Sequence, residues 1–127
     1  MISKKEKNII INFLKNQIDP ELIYIFGSFS RDKERRDSDI DIAFLSSAEF
    51  EEYNIFLLAQ RLADKLNRDV DLIALQKAST VFRIQIIQGE LIYMLNEAIK
   101  MNFELKCLRE YAKLNEERKP ILDNLKN

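Results

Sequence analysis

The sequence predicts an α+β domain in which a short mixed β-sheet is flanked by helices. Three observations support this prediction. Segments with apolar residues at helical spacing alternate along the chain with short apolar segments that are typical of strands. Only two glycines and two prolines are present, so tight turns are few and regular elements are long. The 127 residues suit a single domain spanning 1–127, and we expect its helices to pack mainly on one side of the sheet.

Capping residues mark where four of the predicted helices begin. The capping boxes Ser3-x-x-Glu6 and Ser46-x-x-Glu49 precede amphipathic segments, and Ser79 and Asn96 precede two more. The predicted helices are about 4–17, 46–66, 79–89 and 96–117, the last ending before Pro120, and segment 29–38 is a short helix or loop. The predicted strands are 22–26, 39–44, 69–74 and 91–95, the last at an edge of the sheet.

The composition excludes several kinds of catalytic site. The chain has no histidine, which removes a Ser-His-Asp triad, a Cys-His dyad and a His-ligated zinc site. A single cysteine, Cys107, allows neither an intrachain disulfide nor a cysteine zinc cluster, and we expect it to be a small buried residue. Two glycines are too few for a Walker P-loop or a Rossmann fingerprint. The remaining chemistry belongs to carboxylates, hydroxyls, basic side chains or a metal with oxygen ligands.

Charge and hydropathy bear on partners and location. The net charge is −1, which argues against direct nucleic-acid binding, since such domains usually carry a basic excess. No apolar run approaches the ~20 residues that span a bilayer, so no membrane association is expected. The N-terminal residues lack the apolar core of a signal peptide. Together with the unpaired Cys107, these features indicate a cytoplasmic protein.

Three acidic residues and a Gly-Ser turn form the candidate active site. Gly27-Ser28 follows the first predicted strand, ten residues intervene, and Asp39 and Asp41 then lie on the second strand. Because side chains alternate along a strand, both carboxylates point to the same face. Asp71 lies in the third strand, again between apolar neighbours. If these strands pair, the three carboxylates converge on one patch of the sheet.

Clustered carboxylates repel one another unless a cation lies among them. Oxygen ligands without imidazole favour a hard ion, Mg²⁺ or Mn²⁺. Two such ions on a shared carboxylate pair support in-line phosphoryl or nucleotidyl transfer. Gly27 lets the backbone approach a phosphate closely, and the Ser28 hydroxyl and the N–H groups that follow it favour an anion. Arg31 and the basic side chains near it can neutralise a triphosphate.

Each of these pieces has a simpler interpretation when it is taken alone. Asp39-x-Asp41 can be a solvated strand face, Gly27-Ser28 an ordinary turn, and Asp71 an edge charge that discourages aggregation. The basic run 31–36 can be a solvated loop. The joint order of strand, Gly-Ser, fixed gap, paired carboxylates and a further strand carboxylate favours a catalytic site over an α+β domain with an incidental acidic patch.

At these residues the sequence resembles the polymerase-β-like nucleotidyltransferases, whose signature is Gly-Ser, ten residues and Asp-x-Asp. The stretch GSFSRDKERRDSDIDIAF, residues 27–44, resembles the minimal nucleotidyltransferases, or MNT proteins. The resemblance continues through Asp71, Arg83 and the C-terminal helix. It points to the MntA-like antitoxins that are paired with HEPN-domain toxins.

The resemblance implies a polymerase-β-like fold and an enzyme that uses ATP and Mg²⁺ to transfer AMP. The implied acceptor is a tyrosine hydroxyl of a partner HEPN ribonuclease, which the modification silences, so a hetero-oligomer is expected. By position, Asp39, Asp41 and Asp71 would ligate the metal, and Asp71 would also activate the attacking hydroxyl. The Gly27-Ser28 turn would hold the terminal phosphates, and Arg31 matches an arginine that is common in the motif.

Two other functions stay open at this point. A non-catalytic antitoxin would neutralise the toxin by covering it and would not need ATP. A small-molecule nucleotidyltransferase of the aminoglycoside type would need a second region for its acceptor, for which 127 residues leave little room. The last helix, from about residue 96, carries apolar residues that can be core or a partner-facing stripe. In the helix predicted at 46–66, Tyr53, Leu57 and Leu58 are expected to be core.

Overall fold

The computed structural model describes residues 2–27 and 39–125 and contains four α-helices and four strands within those ranges. The helices are α1, Lys4–Ile18; α2, Glu52–Leu66; α3, Thr80–Ile87; and α4, Glu97–Leu125. The strands are β1, Leu22–Phe26; β2, Ile40–Leu45; β3, Val70–Ala74; and β4, Glu90–Met94. A turn of 3₁₀-helix, Leu75–Lys77, connects β3 to α3. The segment predicted as a short helix or loop, 29–38, lies outside the described residues.

The strands form one mixed sheet in the order β3-β2-β1-β4. β1 pairs antiparallel with both β2 and β4, whereas β2 and β3 are parallel. The α+β class, the mixed sheet, the four predicted strands and the edge position of β4 are therefore confirmed. β3 forms the opposite edge of the sheet in the described part of the chain.

Helices cover both faces of the sheet, and the expectation of one-sided packing is wrong. α1 and α2 pack on one face, where Leu14 belongs to the same apolar cluster as Ile23. α3 and α4 cover the other face, where Ile86 belongs to a cluster with Tyr24. The reason lies in β1, whose five residues are all buried. A strand that is apolar on both sides needs apolar partners on both sides.

α2 begins at Glu52 rather than near residue 46, because Ser46 has a different role. The buried Ser46 hydroxyl donates to the Ile18 carbonyl at the end of α1 (3.1 Å) and accepts from the Ala48 amide (3.3 Å). It ties α1 to the loop before α2 instead of capping a helix. Within α2, Leu58 is buried as expected and Leu57 is partly buried. Tyr53 is 66% exposed, so its assignment to the core is wrong.

α4 is longer than predicted and runs to Leu125, so that Pro120 lies inside it rather than after it. A proline removes one helical N–H donor, and Pro120 is exposed, so water can bind the carbonyl that loses its partner. Although α4 is long, neither it nor any other helix in ranges 2–27 and 39–125 is apolar enough to cross a membrane.

The two sides of α4 differ in polarity and contacts. Toward the sheet, the Tyr24 hydroxyl donates to Glu104 (2.6 Å), and Cys107 is buried as predicted. Burial raises the pKa of the Cys107 thiol, which disfavours the reactive thiolate. Away from the sheet, α4 leaves about half of three large apolar side chains exposed: Met101, Leu105 and Leu108. Whether that side faces a partner stays a prediction.

Candidate active site

The sheet topology brings three strand ends together. Because β1 is antiparallel to β2 and β2 is parallel to β3, the end of β1 lies beside the beginnings of β2 and β3. In this register Phe26 is opposite Asp41, and Asp41 is opposite Asp71. Gly27 follows Phe26 directly, and Asp39 directly precedes β2. The structure thus places Gly27 and the three candidate carboxylates at one end of the sheet.

The strand carboxylates point to the sheet face on which α3 and α4 pack. Ile40 and Ile42 are fully buried on the α1–α2 face, so Asp41 between them points the opposite way. Asp71 shares that direction because paired residues on neighbouring strands lie on the same face. Asp41 is half-buried, whereas Asp39 and Asp71 are exposed. A ligand can therefore reach all three from solvent.

Asp41 lies in an unfavourable environment for a negative charge. Burial, followed by the charges of Asp71 and Asp39, raises the pKa of Asp41 from its ordinary 3.8 to about 6. An approaching cation would therefore stabilise the ionised form of Asp41.

Gly27 is required here for two separate reasons. Its φ is +93°, a conformation that residues with a Cβ rarely adopt. In addition, a Cβ built on Gly27 would overlap Oδ2 of Asp41. The backbone at the end of β1 is therefore packed directly against the central carboxylate. The missing side chain thus leaves room for the Asp41 carboxylate itself.

The donor set fits a divalent cation that a substrate helps to bind. Of the residues described, no three acidic or cysteine side chains form a closed metal cage. Mg²⁺ commonly uses one or two carboxylates together with substrate phosphates and water, so a closed cage is not needed. All the donors are oxygens, which suit such a cation. Its positive charge would offset the burial and the carboxylate repulsion that raise the pKa of Asp41.

Two of the predicted phosphate contacts cannot be placed in this geometry. Ser28 and Arg31 lie outside the described residues, as do the other basic side chains of 31–36. Their roles therefore stay predictions that rest on the sequence motif.

Sequence reasoning missed a groove that begins at Asp71. The groove has a volume of about 530 Å³ and runs along β3 between α2 and the segment 77–82. Most of its lining is apolar, and Phe56 of α2 lies in it with 57% of its surface exposed. The one signal in the sequence is an aromatic residue, Phe56, that lies off the buried stripe of α2.

Comparison with known proteins relates the chain to an enzyme family. The family model described as "Polymerase beta, Nucleotidyltransferase" matches residues 8–98. A protein adenylyltransferase, MntA of Shewanella oneidensis, is 38% identical over 121 residues, which cover 94% of this chain and 86% of the relative.

Solved structures agree with this relationship over nearly the whole chain. A toxin–antitoxin crystal structure with AMP-PNP matches with a TM-score of 0.83 and 36% identity, covering 95% of this chain and 98% of the other. A structure of a tri-AMPylated Shewanella oneidensis HEPN toxin in complex with MNT antitoxin matches with a TM-score of 0.81 and 33% identity, covering 98% of both chains.

Replacing Gly27 with alanine should lower the free energy of unfolding by about 1–3 kcal/mol, because the new Cβ meets Asp41 in a strained backbone conformation. Urea denaturation measures this loss. The double variant Gly27→Ala/Asp41→Ala removes the overlap but keeps the backbone strain, so it should recover part of the loss. Stability equal to that of the unsubstituted protein would contradict the close approach.

Replacing Asp41 with asparagine should stabilise the metal-free protein at neutral pH. The pKa of Asp41 is about 6 when folded and lower when unfolded, so its ionisation opposes folding above pH 6. The variant should melt roughly 2–5 °C higher at pH 7.5. The gain should shrink as the pH falls from 6 to 4, because Asp41 becomes protonated first in the folded state and, from about pH 4, in the unfolded state as well.

Melting curves from pH 4 to pH 8 test this dependence, with Asp64→Asn on the exposed side of α2 as the matched control. The control should show no such pH-dependent gain. A lower melting temperature of Asp41→Asn at pH 7.5 would show that the carboxylate is not destabilising.

Proposed function

Because this chain belongs to the polymerase β nucleotidyltransferase family, we propose that it is an adenylyltransferase that acts as an antitoxin. It transfers AMP from ATP to a tyrosine hydroxyl of a partner HEPN-domain toxin and thereby neutralises that toxin. The observation that carries the proposal is the position of Gly27, directly after β1, beside Asp41 on β2 and Asp71 on β3. The relatives support the substrates, since they include an adenylyltransferase, an AMP-PNP complex and an AMPylated HEPN toxin.

We assign the metal-binding role to Asp39 and Asp41, with Asp71 as the third ligand. When bound, Mg²⁺, or Mn²⁺ in its place, neutralises charge on the phosphate oxygens. A cation binds the ionised form of Asp41. A bound cation would therefore lower the pKa of this residue, which burial and the neighbouring carboxylates raise. Nucleotidyl transfer depends on alignment and charge neutralisation more than on a titrating imidazole, which agrees with a chain without histidine.

The transfer itself is an in-line displacement at the α-phosphorus of ATP. The acceptor oxygen forms a bond to that phosphorus, and its proton passes to Asp71. The bond from the phosphorus to the bridging oxygen breaks, and pyrophosphate leaves. The turn at Gly27 receives the terminal phosphates, together with Ser28 and Arg31.

Partners and location follow from the same proposal. The protein works in a hetero-oligomer with its toxin, in the cytoplasm, where a single unpaired cysteine suits a reducing environment. Because its net charge is −1, we expect no direct binding of nucleic acid by this chain.

Replacing Asp39 or Asp41 with asparagine should lower AMP transfer by about 10³-fold or more, because each variant removes charge that a divalent cation needs. The protein is incubated with ATP, Mg²⁺ and the partner toxin, and the intact mass of the toxin is followed for added AMP. Asp64→Asn, the same substitution on the exposed side of α2, should transfer AMP at the normal rate.

Two outcomes would contradict the proposal. Normal AMP transfer by both site variants would mean that these carboxylates are not the catalytic group. Neutralisation of the toxin by the unsubstituted protein without ATP and without added AMP would mean that it acts by binding alone.

A further inference from the structure

A groove continues from the carboxylates along the free edge of the sheet. β3 is an edge strand, and no other strand in the described part of the chain pairs with its outer side. The groove follows this edge, with α2 as one wall and the segment 77–82 as the other. Because β3 is parallel to β2, Asp71 lies at the active-site end and Lys77 at the distant end.

The dimensions of the groove suit an extended peptide segment. The five residues of β3 extend over roughly 13 Å at about 3.3 Å per residue. The volume of about 530 Å³ is open along this length. A segment of about four or five residues fits such a space, and the outer edge of β3 offers main-chain groups for it to bind.

The in-line geometry of the displacement determines which substrate approaches from the β3 side of the sheet. Attack at phosphorus is in line, so the entering oxygen and the leaving pyrophosphate lie on opposite sides of the α-phosphorus. Gly27 follows β1, Asp41 lies on β2 and Asp71 lies on β3, in that spatial order across the sheet. If the Gly27 turn holds the leaving phosphates, the acceptor hydroxyl arrives from the β3 side, where the groove lies.

The lining of the groove suits side chains of a protein acceptor. Ile55 and Ala59 of α2 form an apolar floor with Leu72, while Phe56 is exposed by 57%. Tyr53, one helical turn before Phe56, is also exposed by 66%. Exposed aromatic side chains beside an apolar groove are typical anchors in protein interfaces.

We propose that this groove binds the segment of the partner toxin that carries the acceptor tyrosine and presents its hydroxyl to Asp71. This inference rests on the proposed AMP transfer. It adds a docking site for the acceptor that is distinct from the nucleotide side of the active site. Phe56 is the central contact, and the acceptor residue lies at the Asp71 end of the groove.

The kinetic test replaces Phe56 with glutamate in the full chain. Because Phe56 is largely exposed, the variant should fold, which a melting curve checks. KM for the toxin should rise at least tenfold, while kcat at saturating toxin stays within about threefold and the ATP-induced thermal shift is unchanged. Met94→Glu, an exposed apolar residue on the opposite edge strand, should leave KM for the toxin within about twofold.

Other results of this test would overturn the docking site. An unchanged KM for the toxin would mean that the groove does not hold the acceptor. A parallel loss of ATP binding would mean that it holds the nucleotide. If the unsubstituted protein self-associates and Phe56→Glu does not, with toxin kinetics unchanged, the groove holds a second copy of this chain.

A cross-linking experiment separates this inference from the proposed function. p-Benzoylphenylalanine in place of Phe56 is irradiated in the complex with the toxin, and the linked toxin peptide is identified by mass spectrometry. The peptide should contain the AMP-accepting tyrosine or lie within a few residues of it. AMP transfer with no such cross-link overturns the groove but not the activity, whereas a cross-link without AMP transfer overturns the activity but not the docking of the toxin.

Discussion

The pairing of β2 with both of its neighbours is the constraint on which the site depends. A shift of one residue in either pairing would turn Asp41 toward the face that α1 and α2 cover. The register is held by Ile40 and Ile42, which are fully buried against α1 and α2. At the start of β2, the Ile40 amide also donates to the Asp69 carbonyl (2.9 Å), which fixes β2 against the beginning of β3.

This register carries an electrostatic cost that a bound cation would offset. It places one half-buried carboxylate next to two others, and the pKa of Asp41 rises accordingly. Apolar packing on both faces of the sheet compensates for this local repulsion. A cation and a nucleotide that bind only the folded state would stabilise it further. The carboxylate whose charge is disfavoured by burial and by its neighbours thus lies at the point where chemistry is proposed.

Much of this arrangement could be predicted from the sequence because its signals are local. Strand alternation at Asp41 and Asp71 defined their face, and the position of Gly27 directly after an apolar run indicated a turn.

The two-sided layering was missed, although the uninterrupted apolar run of β1 contained the signal. Ser46 has the spacing of a helix cap, but its hydroxyl bonds to residues that only the tertiary structure brings near. The groove depends on two helices and an edge strand, so no single segment could reveal it. Ser28 and Arg31 remain predictions from the motif.

The central claim is that the reaction axis runs across the strands from β1 through β2 to β3. A crystal structure of the protein with AMP-PNP and Mg²⁺ tests this claim most directly. The terminal phosphates should lie at the Gly27 turn, the α-phosphate beside Asp41, and the open side of the α-phosphorus should face Asp71 and the groove. Terminal phosphates on the β3 side, or a nucleotide bound away from Asp41, would contradict the account.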